Sequence, residues 1–200
     1  MSYVKDSDGR WHTIFDQTKG SSCGPTCMRM VVKMMQNRDL GEEQARQLVE
    51  RKNGVAMLST LTSENGGVGQ MGSHNWGNHG HHASGGGGVG VGAEPLAAAL
   101  KGTGIKDAHV PQIYARQALL KTSLKNPGIA AVGWGGQWNG KRAQGAHWIV
   151  VAGQLSNGNI LVLDPIYGIG EIDLSPAIPK YRPANHEATL YNKNVVLTAK

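Results

Sequence analysis

Ala146-His147-Trp148-Ile149-Val150-Val151-Ala152-Gly153 and Asn159-Ile160-Leu161-Val162-Leu163-Asp164-Pro165 are two short runs rich in valine, isoleucine and leucine, with Ser156-Asn157-Gly158 between them. β-Branched runs of this length bounded by turn residues read as strands, and an Asn-Gly pair between two of them reads as a hairpin turn. That pairing places the start of the first strand, at His147, beside the end of the second, at Asp164. Runs of the same kind at 129–134, 169–174 and 194–199 extend the strand-forming part of the chain.

Upstream the period changes from two to between three and four. Over 24–37, Cys27, Met28, Val31, Met34 and Met35 fall on one apolar stripe, and Pro25 suits a first helical turn where its missing N–H costs nothing. Residues 41–52 carry acids in the first turn, bases in the last and Gly54 as a stop, and helical signals return at 94–101 and 111–125. Helices first and strands after predict an α+β fold in a single domain over 1–200. In it, an N-terminal helical half packs on a C-terminal, mostly antiparallel sheet, and the site lies in the cleft between them. Gly66 to Gly92 is rich in glycine, histidine, asparagine and serine and reads as a long insertion or loop.

Composition narrows the function. The net charge is +6, but the 20 lysines and arginines are scattered and form no basic stripe, so nucleic acid is not an expected partner. Met1 to Asp16 lacks the apolar core of a signal peptide and no apolar run reaches membrane-spanning length, so a soluble chain with no membrane partner is expected. The two cysteines, Cys23 and Cys27, lie four apart on one expected helix, which suits neither a disulfide nor a zinc site. His74, His79, His81 and His82 read as solvated loop histidines, and the glycines of 85–92 lack the Gly-Lys-Ser/Thr of a phosphate loop. No metal and no organic cofactor is expected.

The chemistry gathers at Cys23. Gln17-Thr18-Lys19-Gly20-Ser21-Ser22-Cys23-Gly24-Pro25 sets a thiol at a helix N-terminus, where unpaired N–H groups and the positive end of the dipole favour thiolate. Gln17, six residues upstream, can bring its side-chain amide beside the Cys23 N–H as a second oxyanion donor. His147, at a strand start, is the candidate base, and Asp164 the group that orients it, with Asp173 as the runner-up. Cys27 reads as core. Candidate substrate contacts are Gly145, at the turn before the base, Trp148 beside it, and Trp138 in the polar loop 135–145.

These residues resemble the papain-like cysteine peptidases, and within them the bacteriocin-processing branch that cuts after a double-glycine leader. The resemblance rests on Gln17, Cys23-Gly24-Pro25 with its helix, His147 with its hydrophobic strand, and Asp164-Pro165, and covers about a third of the chain, near 14–37 and 128–175. It implies a papain-like fold and hydrolysis of a protein substrate next to glycine or other small residues. The four residues would then serve as oxyanion donor, nucleophile, base and orienter. A free-standing chain of this type also resembles effector or toxin domains that act in the cytoplasm or are delivered into a target cell by a specialised secretion system. That implies a cognate inhibitor or immunity protein as partner. Two other readings use the same residues: a deamidase, transglutaminase-like enzyme or cell-wall amidase with the same Cys-His-Asp set, and an inactive binding module that keeps the fold.

Overall fold

The computed structural model describes residues 1–19, 22–53, 91–134, 137–138, 141–142, 146–184 and 187–200. Two strands open the chain, β1 (Ser2–Lys5) and β2 (Trp11–Ile14), paired as an antiparallel hairpin. Four helices follow, α1 (Cys23–Gln36), α2 (Glu42–Asn53), α3 (Ala93–Gly102) and α4 (Ala115–Leu120). The remaining strands are β3 (Gly128–Trp134), β4 (Gln137–Trp138), β5 (Lys141–Arg142), β6 (Ala146–Gln154), β7 (Ile160–Asp164), β8 (Gly168–Asp173), β9 (Lys180–Tyr181) and β10 (Ala188–Leu197). Strands β4 and β5 pair with each other. The other six close into a barrel in the order β10-β3-β6-β7-β8-β9, with every pairing between neighbours antiparallel.

This closure overturns the expected papain-like arrangement of a helical half laid on a sheet. The strand that changes the topology is β9: its two residues bridge Ile172–Asp173 of β8 and Ala188–Thr189 of β10, so the sheet has no open edge. The physical gain is that barrel closure pairs the backbone groups that an edge strand would leave exposed.

The strand period of two sorts side chains into two cores. Ala130, Val132, Ile149, Val151, Ile160, Val162, Ile172 and Tyr181 point into the barrel, where they meet Ala115, Ala118 and Leu119 of α4. The alternate residues, Ile129, Ala131, Trp148, Val150, Ala152, Leu161 and Leu163, form the outer face. They share one core with Cys27, Met28, Val31 and Val32 of α1, Leu96 and Leu100 of α3, and Ala45 and Val49 of α2, which packs on α1 and α3. The β6–β7 turn is the one expected, with Gly158 at φ +88° and bonds between Leu155 and both Gly158 and Asn159. Helix α4 is much shorter than the expected 111–125.

The N-terminal hairpin is fixed to the barrel by polar contacts. Its Asp6 carboxylate accepts from the Arg10 N–H, from Arg10 Nε and from His12 Nε2 at 2.7–2.8 Å. Asp8 accepts from the Ser156 N–H and hydroxyl, and Ser7 donates to Glu171. The hairpin thereby fixes where the chain enters the segment that carries Gln17. Among the described residues no helix is long and apolar enough to cross a membrane.

Candidate active site

His147 and Asp164 lie at one end of the barrel because of strand alternation. His147 extends the inward row of Ile149 and Val151 along β6, and Asp164 extends the inward row of Ile160 and Val162 along β7. The register Val150↔Leu163 sets the two side chains diagonally across the strand pair on the same face. His147 Nε2 and Asp164 Oδ1 are 2.8 Å apart, and both side chains are 0% exposed. The pair therefore caps the apolar interior of the barrel.

Asp164 is held on all sides. Oδ1 also accepts the N–H groups of Ile166 at 2.7 Å and Tyr167 at 3.1 Å, a turn that Pro165 initiates by ending β7. Oδ2 accepts the Tyr181 hydroxyl at 2.8 Å. Burial works to raise the carboxyl's pKa, but His147 and the two backbone N–H groups outweigh it and hold Asp164 below its ordinary range. For His147, burial pulls the pKa down. The charge and hydrogen bond of Asp164, with smaller contributions from Cys23, raise it to about 10.

Cys23 is the other group that acts on the imidazole, adding a smaller hydrogen-bond and charge contribution to its raised pKa. With Nε2 committed to Asp164, Nδ1 is the nitrogen left to serve the thiol. Cys23 is the first residue of α1 and is 3% exposed. Pro25 has no N–H and the Thr26 N–H is taken by the Ser22 carbonyl at 2.8 Å, so Cys23 and Gly24 carry the donors of the first turn, which no side chain caps. The arrangement supplies a thiol, a charged imidazole, an orienting carboxylate and backbone donors at one point, the set that acyl transfer requires.

Compared with protein-family models and with curated proteins, the chain matches none.

Gln17 reaches this corner through its backbone: its N–H donates to the Pro165 carbonyl at 3.0 Å, directly after Asp164. Its side-chain Oε1 is buried and has no hydrogen-bond partner among the described residues. Trp148 points outward from the barrel, is 2% exposed, and donates Nε1–H to the Val91 carbonyl at 3.0 Å, so it lies beneath the N-terminus of α1 and presents no open face. Trp138 belongs to β4, and the placement of its side chain lies outside the described residues, as does Gly145. Asp173 is apart from the imidazole, with its carboxylate turned to the Ser175 N–H and hydroxyl. Cys27 is buried, donates to the Trp148 carbonyl at 3.1 Å, and burial pushes its thiol well up. His74, His79, His81 and His82 lie outside the described residues; among those described, no group of three or more His, Cys, Asp or Glu could hold a metal ion.

Gly24 explains why nothing larger follows the cysteine. A Cβ there would lie 2.4 Å from Val91 Cγ1 and 3.3 Å from both Leu96 Cδ2 and Trp148 Cδ1. Gly24→Ala is expected to cost about 1–3 kcal/mol of stability through overpacking, read from a denaturant titration.

Sequence reasoning missed Tyr181. It is a lone tyrosine in the stretch Pro179-Lys180-Tyr181-Arg182-Pro183, where nothing in the pattern marks an inward strand residue. Burial and the Asp164 charge raise its pKa, so the hydroxyl stays a donor. Tyr181→Phe leaves Oδ2 without that donor. The expected loss is about 1–3 kcal/mol, measured by denaturant titration, because a buried acceptor loses its partner.

Proposed function

We propose that this protein is a cysteine peptidase that hydrolyses a peptide bond in a protein substrate. The observation that carries the reading is the fully buried His147–Asp164 pair at 2.8 Å, with Cys23 at the first residue of α1 close enough to act on the imidazole. A purely structural histidine has no need of a thiol at a helix N-terminus on its far side.

In the proposed reaction the Cys23 thiolate attacks the scissile carbonyl carbon, and the carbonyl π electrons move onto oxygen. The Cys23 N–H and the Gln17 side-chain amide donate to that oxyanion. As the intermediate collapses, the C–N bond breaks and the His147 imidazolium gives its proton to the leaving amine. His147 then takes a proton from water, whose oxygen attacks the thioester, and the acid product leaves as the thiolate is restored. Asp164 keeps the ring oriented and favours its charged form throughout.

The resemblance to peptidases that cut after double glycine makes glycine or another small residue next to the scissile bond the favoured substrate feature. Delivery as an effector, with an inhibitor protein in the producing cell, belongs to the same proposal. The test is to incubate the purified chain and its Cys23→Ala variant with a bacterial lysate and to identify new protein N-termini by mass spectrometry. Cysteine-dependent termini are the expected result. Cysteine-dependent release of ammonia or cleavage of cell-wall amides, without new termini, would replace the peptidase by the second acyl-transfer reading.

A further inference from the structure

The loop before Cys23 is held from one side by α2. Glu42, in the first turn of that helix, accepts the N–H groups of Thr18 at 3.0 Å and Lys19 at 3.1 Å, and the Thr18 hydroxyl at 2.6 Å. Lys19 also pairs with Glu43. One turn along the same helix, Arg46 donates Nη1–H to the Ser22 hydroxyl at 2.6 Å. Glu42 therefore fixes the residues that follow Gln17, and Arg46 fixes the residue that precedes Cys23.

The Arg46 contact fixes the residue that leads into the nucleophile. Serine at an N-cap ordinarily has an extended backbone and turns its hydroxyl onto the N–H of the second or third helical residue. Ser22 lies at φ −87° and ψ 2°, outside that region, and makes no such cap. Its hydroxyl faces Arg46 instead, and Ser22 itself is 0% exposed. Arg46 is 2% exposed and its guanidinium also pairs with Glu50 at 3.7 Å, so the group that holds Ser22 is itself held on α2. A buried, charge-assisted hydrogen bond of this kind fixes geometry more strongly than a neutral one.

We propose that Glu42 and Arg46 are positioning residues for acyl transfer: Glu42 holds Gln17 in place as an oxyanion donor, and Arg46 holds Ser22, and with it Cys23, at the start of α1. This rests on the cysteine-peptidase reading. It assigns to α2 a part in the chemistry that does not require contact with substrate.

The test compares the wild type with Glu42→Ala, Ser22→Ala, Arg46→Met and the double variant Ser22→Ala/Arg46→Met. Each is assayed on a fluorogenic peptide amide ending in Gly-Gly and on lysate proteins, and its Cys23 is alkylated with iodoacetamide. Alkylation needs the thiolate but no oxyanion donor. Glu42→Ala is expected to lower kcat about tenfold while leaving the alkylation rate within about twofold, since only acyl transfer uses the displaced donor. Arg46→Met and Ser22→Ala are each expected to lower kcat by a similar factor, and the double variant no further, since all three remove one contact. A role for Arg46 apart from Ser22 would leave Ser22→Ala at the wild-type rate.

Wild-type kcat in Glu42→Ala or in Ser22→Ala, or a double variant much slower than Arg46→Met, overturns the inference. If Arg46→Met fails to fold, the half-buried Glu42 decides through the same two rates. A wild type that shows no Cys23-dependent cleavage in either assay overturns the peptidase reading and this inference together. Cleavage that the variants leave unaltered overturns this inference alone.

Discussion

Replacing Cys23 with alanine is expected to lower cleavage by about five to six orders of magnitude, the scale seen when a hydrolase loses its nucleophile. Cys27 cannot take over: it is 0% exposed, its thiol donates to the Trp148 carbonyl, and burial holds it in the neutral form. The fold should survive, because removing one buried sulfur from a helix end costs on the order of 1 kcal/mol. The measurement is the yield of new N-termini from a lysate, alongside a thermal melt that shows the variant folded. Undiminished cleavage by folded Cys23→Ala would move the nucleophile elsewhere and end the proposal.

Asp164→Asn is expected to carry the second-largest effect, and it separates charge from shape. Asparagine can keep the same contacts, accepting from His147, Ile166 and Tyr167 through its carbonyl and donating its amide to the Tyr181 oxygen, so the barrel end stays satisfied. It removes the carboxylate charge that lifts His147 to about 10, while the burial that lowers the imidazole remains. Activity at neutral pH should fall by about 10⁴, the scale found when a histidine-orienting carboxylate becomes an amide. The alkaline limb of the pH–rate profile should also move from near 10 to below 6.5.

Stability follows the same sign. A histidine whose pKa is raised on folding contributes fully below 6.5, and loses that contribution as pH climbs through about 10. Asp164, lowered on folding, contributes above 3.8 and loses it as pH falls through its depressed value. The wild-type melting temperature should therefore decline between pH 6.5 and 10, and Asp164→Asn should flatten that decline. A wild-type slope retained in the variant would show that the pair is not its source.

The β6–β7 hairpin was legible because three local signals agree there: two β-branched runs, a Ser-Asn-Gly turn and an Asp-Pro stop. That one element carries both His147 and Asp164. Helices α1 to α3 were legible from apolar spacing and end charges. What failed did so for identifiable reasons. The expected helix over 111–125 narrows to Ala115–Leu120, since a turn at Ser123–Asn126 and the Thr122 hydroxyl on the Leu119 carbonyl end it early. The N-terminal hairpin carries a usable Asp8-Gly9 turn signal, with Gly9 at φ +81°, but its strands are only four residues each and half polar. Barrel closure depends on a two-residue strand between prolines, where tertiary pairing overrides a sequence that reads as loop. Tyr181 was invisible for the same reason, as were the α2 contacts to Thr18, Lys19 and Ser22, which depend on how two helices dock.

Tyr181 also ties the timing of chemistry to the completion of the fold. During synthesis the thiol and its helix leave the ribosome early, the imidazole and carboxylate much later, and the hydroxyl that locks the carboxylate later still. Because β9 both shuts the barrel and supplies that hydroxyl, a chain made only as far as β8 lacks the group that locks the carboxylate. If the proposed peptidase activity holds, the order in which the chain is made delays cutting until the barrel is shut.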